Sequence, residues 1–221
     1  MITVTIAGEK KKYKEGTTYE QIVQEYQAQY DGLIGLVAVN GKITELFKQL
    51  KEDCELKFFT LKDDIGHKTY VRTATMLFLK AMSDVFGYEI AQEARVEFTV
   101  GNGYYITSNS RVEPNKENAQ RLYSRMEELQ KKAVPFKKES YSLDAAMALF
   151  KEKGMKDKER LFRYRRSSVV NIYEIDGYFD YYYGYMLPNA GYVKWFDVIA
   201  YDEGFMLLLP EKKNPTVVKP F

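Results

Sequence analysis

The stretch Thr69–Phe86 limits what this chain can fold into more than any other. Ala74, Leu77, Ala81 and Val85 recur at helical intervals, and Met76, Leu79 and Met82 form a second stripe. A helix that is apolar on much of its circumference has no wide face to give to water, so it must be surrounded. The flanking segments therefore have to supply layers around a central helix.

Upstream, Ile2, Val4 and Ile6 alternate with Thr3 and Thr5, and Gly8 permits a turn into Lys10–Lys14. That period predicts a hairpin. Gly16-Thr17-Thr18 precedes Ile22, Val23 and Tyr26 at helical spacing, with a threonine placed to cap the first turn. Leu36–Val39, the tight-turn pair Asn40-Gly41 and Leu56–Thr60 add strands, closing a unit near Leu61 whose one helix can lie across a mixed sheet. Lys62-Asp63-Asp64-Ile65-Gly66 is polar and reads as a linker, with His67 exposed beside it.

Downstream, Arg95–Val100 and Tyr104–Thr107 flank Gly101-Asn102-Gly103, a hairpin turn. Pro114–Lys132 predicts a helix with Leu122, Met126 and Leu129 as its buried stripe. Ser142 can cap a helix over Leu143–Lys153, and Gly154 can end it. Val169–Tyr173, Tyr178–Tyr183, Phe196–Tyr201 and Phe205–Leu209 read as strands. Helices and strands mix without strict alternation, which is the α+β class. Residues 211–221 look like the start of a linker.

Composition removes several functions. Lys and Arg total 33 against 31 Asp and Glu, a net charge of +2, so any polyanion site must be a local patch. Cys54 and His67 are each the sole residue of their type, which excludes an internal disulfide and a Cys/His metal cage. Cys54 reads as a small buried apolar residue. The apolar run Phe205–Leu209 is far shorter than the roughly 20 residues that span a bilayer. A cytoplasmic location with no membrane partner is the expectation. No phosphate loop of the form Gly-x-x-x-x-Gly-Lys-Ser/Thr occurs.

Two segments can carry recognition. Tyr178, Asp180 and Tyr182 share one strand face, with Phe179, Tyr181 and Tyr183 on the other. Tyrosines around a carboxylate can stack on a base and hold a ribose or an amino group, although a tyrosine-rich strand also fills a core. The run Lys151–Arg166 holds eight basic and three acidic side chains, with Phe162 and Tyr164 interleaved near its end. Arg160, Arg163, Arg165 and Arg166 are its candidate RNA or phosphate patch, and a solvated helix of offset charges is the plain alternative.

These words together resemble known families. Gly16-Thr17-Thr18, Val39-Asn40-Gly41-Lys42 and Asp53-Cys54-Glu55-Leu56 are similar, in this order, to a TGS domain, a ubiquitin-like β-grasp module. Residues 63–210 resemble the second additional, editing domain of threonyl- and alanyl-tRNA synthetases, which clears wrongly charged tRNA. The carrying word is Gly177-Tyr178-Phe179-Asp180-Tyr181-Tyr182-Tyr183-Gly184-Tyr185-Met186-Leu187-Pro188. It keeps that family's Gly, Phe, Asp, Gly and Pro but has Tyr182 at the Cys position and Met186 at a His position. The family's His-x-x-x-His on the opening helix aligns with Arg72 and Met76. The resemblance thus implies a β-grasp domain over 1–62 and an editing-like domain over 63–210, with a central helix packed on an antiparallel sheet. It also implies that residues 211–221 lead toward a further domain.

The lost donors imply that the chain holds no metal or cofactor and does not hydrolyse aminoacyl-tRNA. The combination of both domains with Arg165-Arg166 and Val170-Asn171-Ile172-Tyr173 resembles the non-catalytic front end of bacterial uridine (nucleoside) kinases. That resemblance implies a regulatory module sensing a nucleotide or RNA, whose partner is a C-terminal kinase domain in the same native chain. ATP and Mg belong only to that transferase domain. The ligand-binding candidates are Arg72, Tyr178, Asp180 and Tyr182, with Arg72 and Asp180 expected to pair or to share a ligand across one cleft. The rival functions are a metal-independent deacylase of mischarged tRNA and a plain interaction scaffold.

Overall fold

The computed structural model describes residues 1–164 and 168–221. Its first unit contains β1 (Ile2–Ile6), β2 (Glu9–Tyr13), α1 (Tyr19–Tyr26), β3 (Ile34–Val39), β4 (Lys42–Glu45) and β5 (Cys54–Thr60). Alternation along β1 turns Ile2, Val4 and Ile6 inward. α1 starts at a capping box, in which Thr18 Oγ1 accepts from Gln21 N and the Gln21 side chain accepts from Thr18 N. The strand order is β2-β1-β5-β3-β4, with β1 and β5 parallel and the other pairs antiparallel. The last strand is therefore the central one, and Leu56 and Phe58 from it meet Ile22 and Val23 of α1 in one core. Cys54 is buried in the same core, and burial pushes its thiol pKa up.

The polar stretch after β5 is not a linker. Asp63 Oδ2 accepts from Thr60 N at 2.7 Å and Thr60 Oγ1 at 3.1 Å, and the Asp63 carbonyl accepts from His67 N at 2.8 Å. These bonds start α2 (Asp64–Phe86) directly from the strand end. Gly66 makes the junction fit, since a Cβ there would lie 2.0 Å from the Thr60 carbonyl oxygen. His67, expected in open solvent, is half-buried in the first turns of α2, where burial lowers its pKa.

The remaining elements are α3 (Tyr88–Glu93), β6 (Arg95–Val100), β7 (Gly103–Thr107), α4 (Lys116–Lys131), β8 (Lys137–Ser142), α5 (Leu143–Glu152), α6 (Lys156–Arg163), β9 (Val169–Ile175), β10 (Tyr178–Tyr181), β11 (Asp197–Tyr201) and β12 (Gly204–Leu208). They form an antiparallel four-stranded sheet, β11-β12-β7-β6, and an antiparallel three-stranded sheet, β10-β9-β8. Ala74, Leu77, Phe78 and Ala81 of α2 share one core with Ile106, Phe205 and Leu207 of the first sheet and Tyr173 and Tyr178 of the second. The helix is central because its circumference is apolar. Phe150 and Phe162 of α5 and α6 form a separate small core against Val170 and Ile172 on the far side of the three-stranded sheet.

Residues 211–221, expected to begin a linker, lie against the rest of the chain. Lys212 Nζ lies 2.5 Å from Asp64 Oδ1, Asn102 Nδ2 donates to the Lys219 carbonyl at 3.2 Å, and Phe221 meets the Tyr201 ring at 5.1 Å. No helix among the described residues is long and apolar enough to cross a membrane.

Candidate functional site

The two words that carried the synthetase resemblance meet on the outer turns of α2. Thr73 Oγ1 accepts from Leu187 N at 3.0 Å, donates to the Thr69 carbonyl at 2.7 Å, and lies 3.6 Å from Met186 Sδ. Met76 and Met186 are both fully buried, so their thioethers serve as packing. Arg72 Nη1 donates to the Tyr185 carbonyl at 2.5 Å, and its guanidinium lies on Gly184, where a Cβ would stand 2.7 Å from Arg72 Cζ. Burial lowers the pKa of Arg72, against the pull of the Tyr173 and Tyr185 hydroxyls, and the group remains a cation.

A charged network backs this place. Glu45, at the end of β4, is 1% exposed. Its Oε1 accepts from Lys138 Nζ at 2.7 Å and stands 2.8 Å from Tyr173 Oη, which is also 2.6 Å from the Gly184 carbonyl. The one phenolic proton serves either acceptor. The first unit thus reaches through Glu45 into the sheet beneath Gly184. Burial, reinforced by Glu45, raises the Tyr173 pKa far above the phenol range.

Arg72 and Asp180 form no ion pair with each other, which corrects direct pairing, the first of the two arrangements expected for them. The turn at Gly184 captures the guanidinium first, and Asp180 is supplied from another helix. Its Oδ1 lies 3.1 Å from Lys158 Nζ of α6 and accepts from Tyr181 N at 2.7 Å. Burial raises the Asp180 pKa while Lys158 opposes the shift. Lys158 also pairs with Asp157 at 2.7 Å. Sequence reading missed Lys158 within its charged run. Its spacing from the buried Phe162, one helical turn later, is the signal that turns it inward.

Tyr178 and Tyr182 flank Asp180 on the strand face turned toward α2 and α3, as the alternation predicts, while Phe179 and Tyr181 pack on α5 and α6. Burial, then the Asp180 charge, raises the pKa of both tyrosines on the first face. Tyr88 of α3 completes the group: its ring is 5.9 Å from Tyr178, and its phenol is pushed up to about 12 by burial and Asp180. Arg160 and Arg163 lie exposed on α6, while Arg165 and Arg166 lie outside the described residues.

Neither place offers a metal set, since among the described residues no three His, Cys, Asp or Glu side chains converge. The Arg72 place holds a fixed cation bonded to main chain. The Asp180 place holds a carboxylate and an ammonium within proton-transfer distance beside three phenols.

No family model matches the chain. It is 26% identical over 215 residues, 97% of its length, to the threonine–tRNA ligase of Thermotoga neapolitana. It is equally 26% identical over 217 residues to that of Thermotoga maritima, and 27% identical over 198 residues, 87% of its length, to that of Syntrophotalea carbinolica. Its homologues are threonine–tRNA ligases. The chain corresponds to their N-terminal region and spans 32% of the length of both Thermotoga relatives and 30% of the third. The mixed α+β architecture is compatible with a synthetase editing-like domain. The uridine kinase assignment finds no support among these relatives.

Proposed function

We propose that this chain is a tRNA-directed binding module on the plan of the synthetase editing region, with the hydrolytic groups replaced by fixed structure. Arg72 carries the reading. It lies where the two family words meet, hydrogen-bonded to the Tyr185 carbonyl and seated on Gly184. A cation held there can accept the negative charge of an RNA end but cannot shuttle a proton. The strand order of residues 1–62, together with their three matching words, supports reading that part as a TGS unit. The core around α2 supports residues 63–210 as the editing-like unit.

The Lys158–Asp180 pair favours a second reading, metal-independent deacylation of mischarged tRNA, because a carboxylate of raised pKa beside an ammonium can hold and return a proton. One set of assays separates the two. The binding reading expects the chain to retain threonine-accepting tRNA on a filter while seryl-tRNA decays as in buffer. Decay that speeds up with the chain, and returns to the buffer rate with Asp180→Asn or Lys158→Met, establishes the deacylase instead. Uridine binding without tRNA binding would return the case to a nucleoside-kinase module.

A further inference from the structure

The sheet β11-β12-β7-β6 has a second face. Alternation sends Ile106, Phe205 and Leu207 into the α2 core and turns Tyr105, Met206 and Leu208 to the opposite side, where they form a cluster of their own. Aromatic rings follow one another across that side. Phe98 of β6 lies 5.1 Å from Tyr105, Tyr105 meets Tyr201 edge-on at 5.6 Å, and Tyr201 lies 5.1 Å from Phe221. Val218 of the C-terminal segment packs against the cluster, whereas Phe98, on the free edge of the sheet, stays 53% exposed. A large ring left half in water at the end of a continuous apolar row marks a contact surface.

Acids border the row. The ladder slips between Val96 and Phe98, and the bulge brings Glu97 out on the same side as Phe98. Glu97 Oε1 accepts from Thr107 Oγ1 at 3.0 Å, and Thr107 shares the strand face of Tyr105. At the turn between β11 and β12, Asp202 Oδ2 stands 3.4 Å from Tyr105 Oη, with Glu203 exposed next to it. Glu97, Asp202 and Glu203 take part in no ion pair among the described residues. Arg95, the one cation of β6, lines the hollow between α3 and α6.

We propose that this face docks a partner protein through arginine side chains. A guanidinium can stack its plane on Phe98 while its edge bonds Glu97, and it sheds water more readily than a lysine ammonium. Nucleic acid would bring more negative charge to Glu97, Asp202 and Glu203, and a second copy in a two-fold contact would set the same acids against one another. The bulge interrupts the sheet edge, so the partner is held by side chains on the face instead of by an added strand. The face is turned away from α2 and stands whether or not tRNA binds.

The test is fluorescence anisotropy of the full chain with a labelled peptide of repeated Arg-Gly-Ser, its Lys-Gly-Ser counterpart and oligouridylate, with sedimentation to read the oligomeric state. We expect the arginine peptide to bind about fivefold tighter than the lysine peptide. Phe98→Ala, at an exposed edge position, and Glu97→Gln should each weaken that binding severalfold while the melting temperature stays the same. No binding of the arginine peptide, equal binding of both peptides, or binding that both variants leave unchanged overturns the proposal. Oligouridylate binding that Phe98→Ala removes would give the face to nucleic acid instead, and a dimer that Phe98→Ala dissolves would give it to a second copy.

Discussion

Around Arg72 the polar groups are matched. The guanidinium has the Tyr185 carbonyl, Glu45 has Lys138 and Tyr173, and Thr73 has both a donor and an acceptor. Around Tyr88 they are not, for its hydroxyl and the Gln92 amide nitrogen are buried bare. The contrast separates two ways of burying polar groups. At Arg72 the side chains are tied to main chain and to buried partners, and the guanidinium, bonded through Nη1 alone, keeps further donors for a ligand. Around Tyr88 two buried polar atoms stay without a partner, which costs stability and yields nothing to the neighbouring bonds.

The comparison breaks most readily at Glu45. Replacing it with alanine strands Lys138, and we expect a loss of about 3–5 kcal/mol in denaturant unfolding. Adding Lys138→Met should recover most of it; a single-variant loss below about 1 kcal/mol would mean that the network is not structural. Gly184→Ala comes next. It forces an alanine into φ +122° and sets its Cβ against the Arg72 guanidinium. The expected cost is about 1–3 kcal/mol. Arg72→Ala in the same background should relieve the contact but not the backbone part, and full recovery would show that strain plays no role.

Asp180 gives a smaller, pH-dependent effect. Its folded pKa is raised, so the neutral form is the one the fold prefers. Below its ordinary value of 3.8, wild type and Asp180→Asn should be similarly stable. As pH rises above that value wild type must ionise a buried group, and the difference should move in favour of the asparagine variant. Unfolding curves at a series of pH values check this, and a difference that stays flat would mean that Lys158 fully compensates the burial. The smallest effect belongs to Tyr88. Tyr88→Phe removes a hydroxyl that bonds to nothing, so the melting temperature should stay the same or rise slightly. A marked drop in melting temperature would place Tyr88 among the matched groups.

Much of the frame was legible because it rests on periodicity and turn chemistry. The stripes of α2, the alternation of β1 and the Asn40-Gly41 turn all stand where the spacing puts them. β8 was not legible: Lys137–Ser142 is nearly all polar, and it is a strand because β9 offers it a ladder. The supposed linker at residues 62–66 misled because polarity marks helix starts as well as loops, and the Asp63 bonds to Thr60 decide between them. The alternation of Tyr178, Asp180 and Tyr182 foretold their common face. It could not foretell that the counter-ion of Asp180 is Lys158, because a cation's partner is a matter of which helix lies above the strand. Nothing in the sequence pointed to Tyr88 and Gln92, since an unpartnered group is visible only once its surroundings are known.

The direct passage from β5 into α2 has a mechanical consequence. Thr60 and Asp63 lock the strand end to the helix start, Gly66 lets the two backbones touch, and Glu45 bolts the same unit to Lys138 and Tyr173 at a second point. A body fastened at two separated points resists torsion as a hinge cannot. A load on the first sheet is therefore passed to α2 without slack, and the spacing between that sheet and the Asp180 group behaves as a fixed gauge.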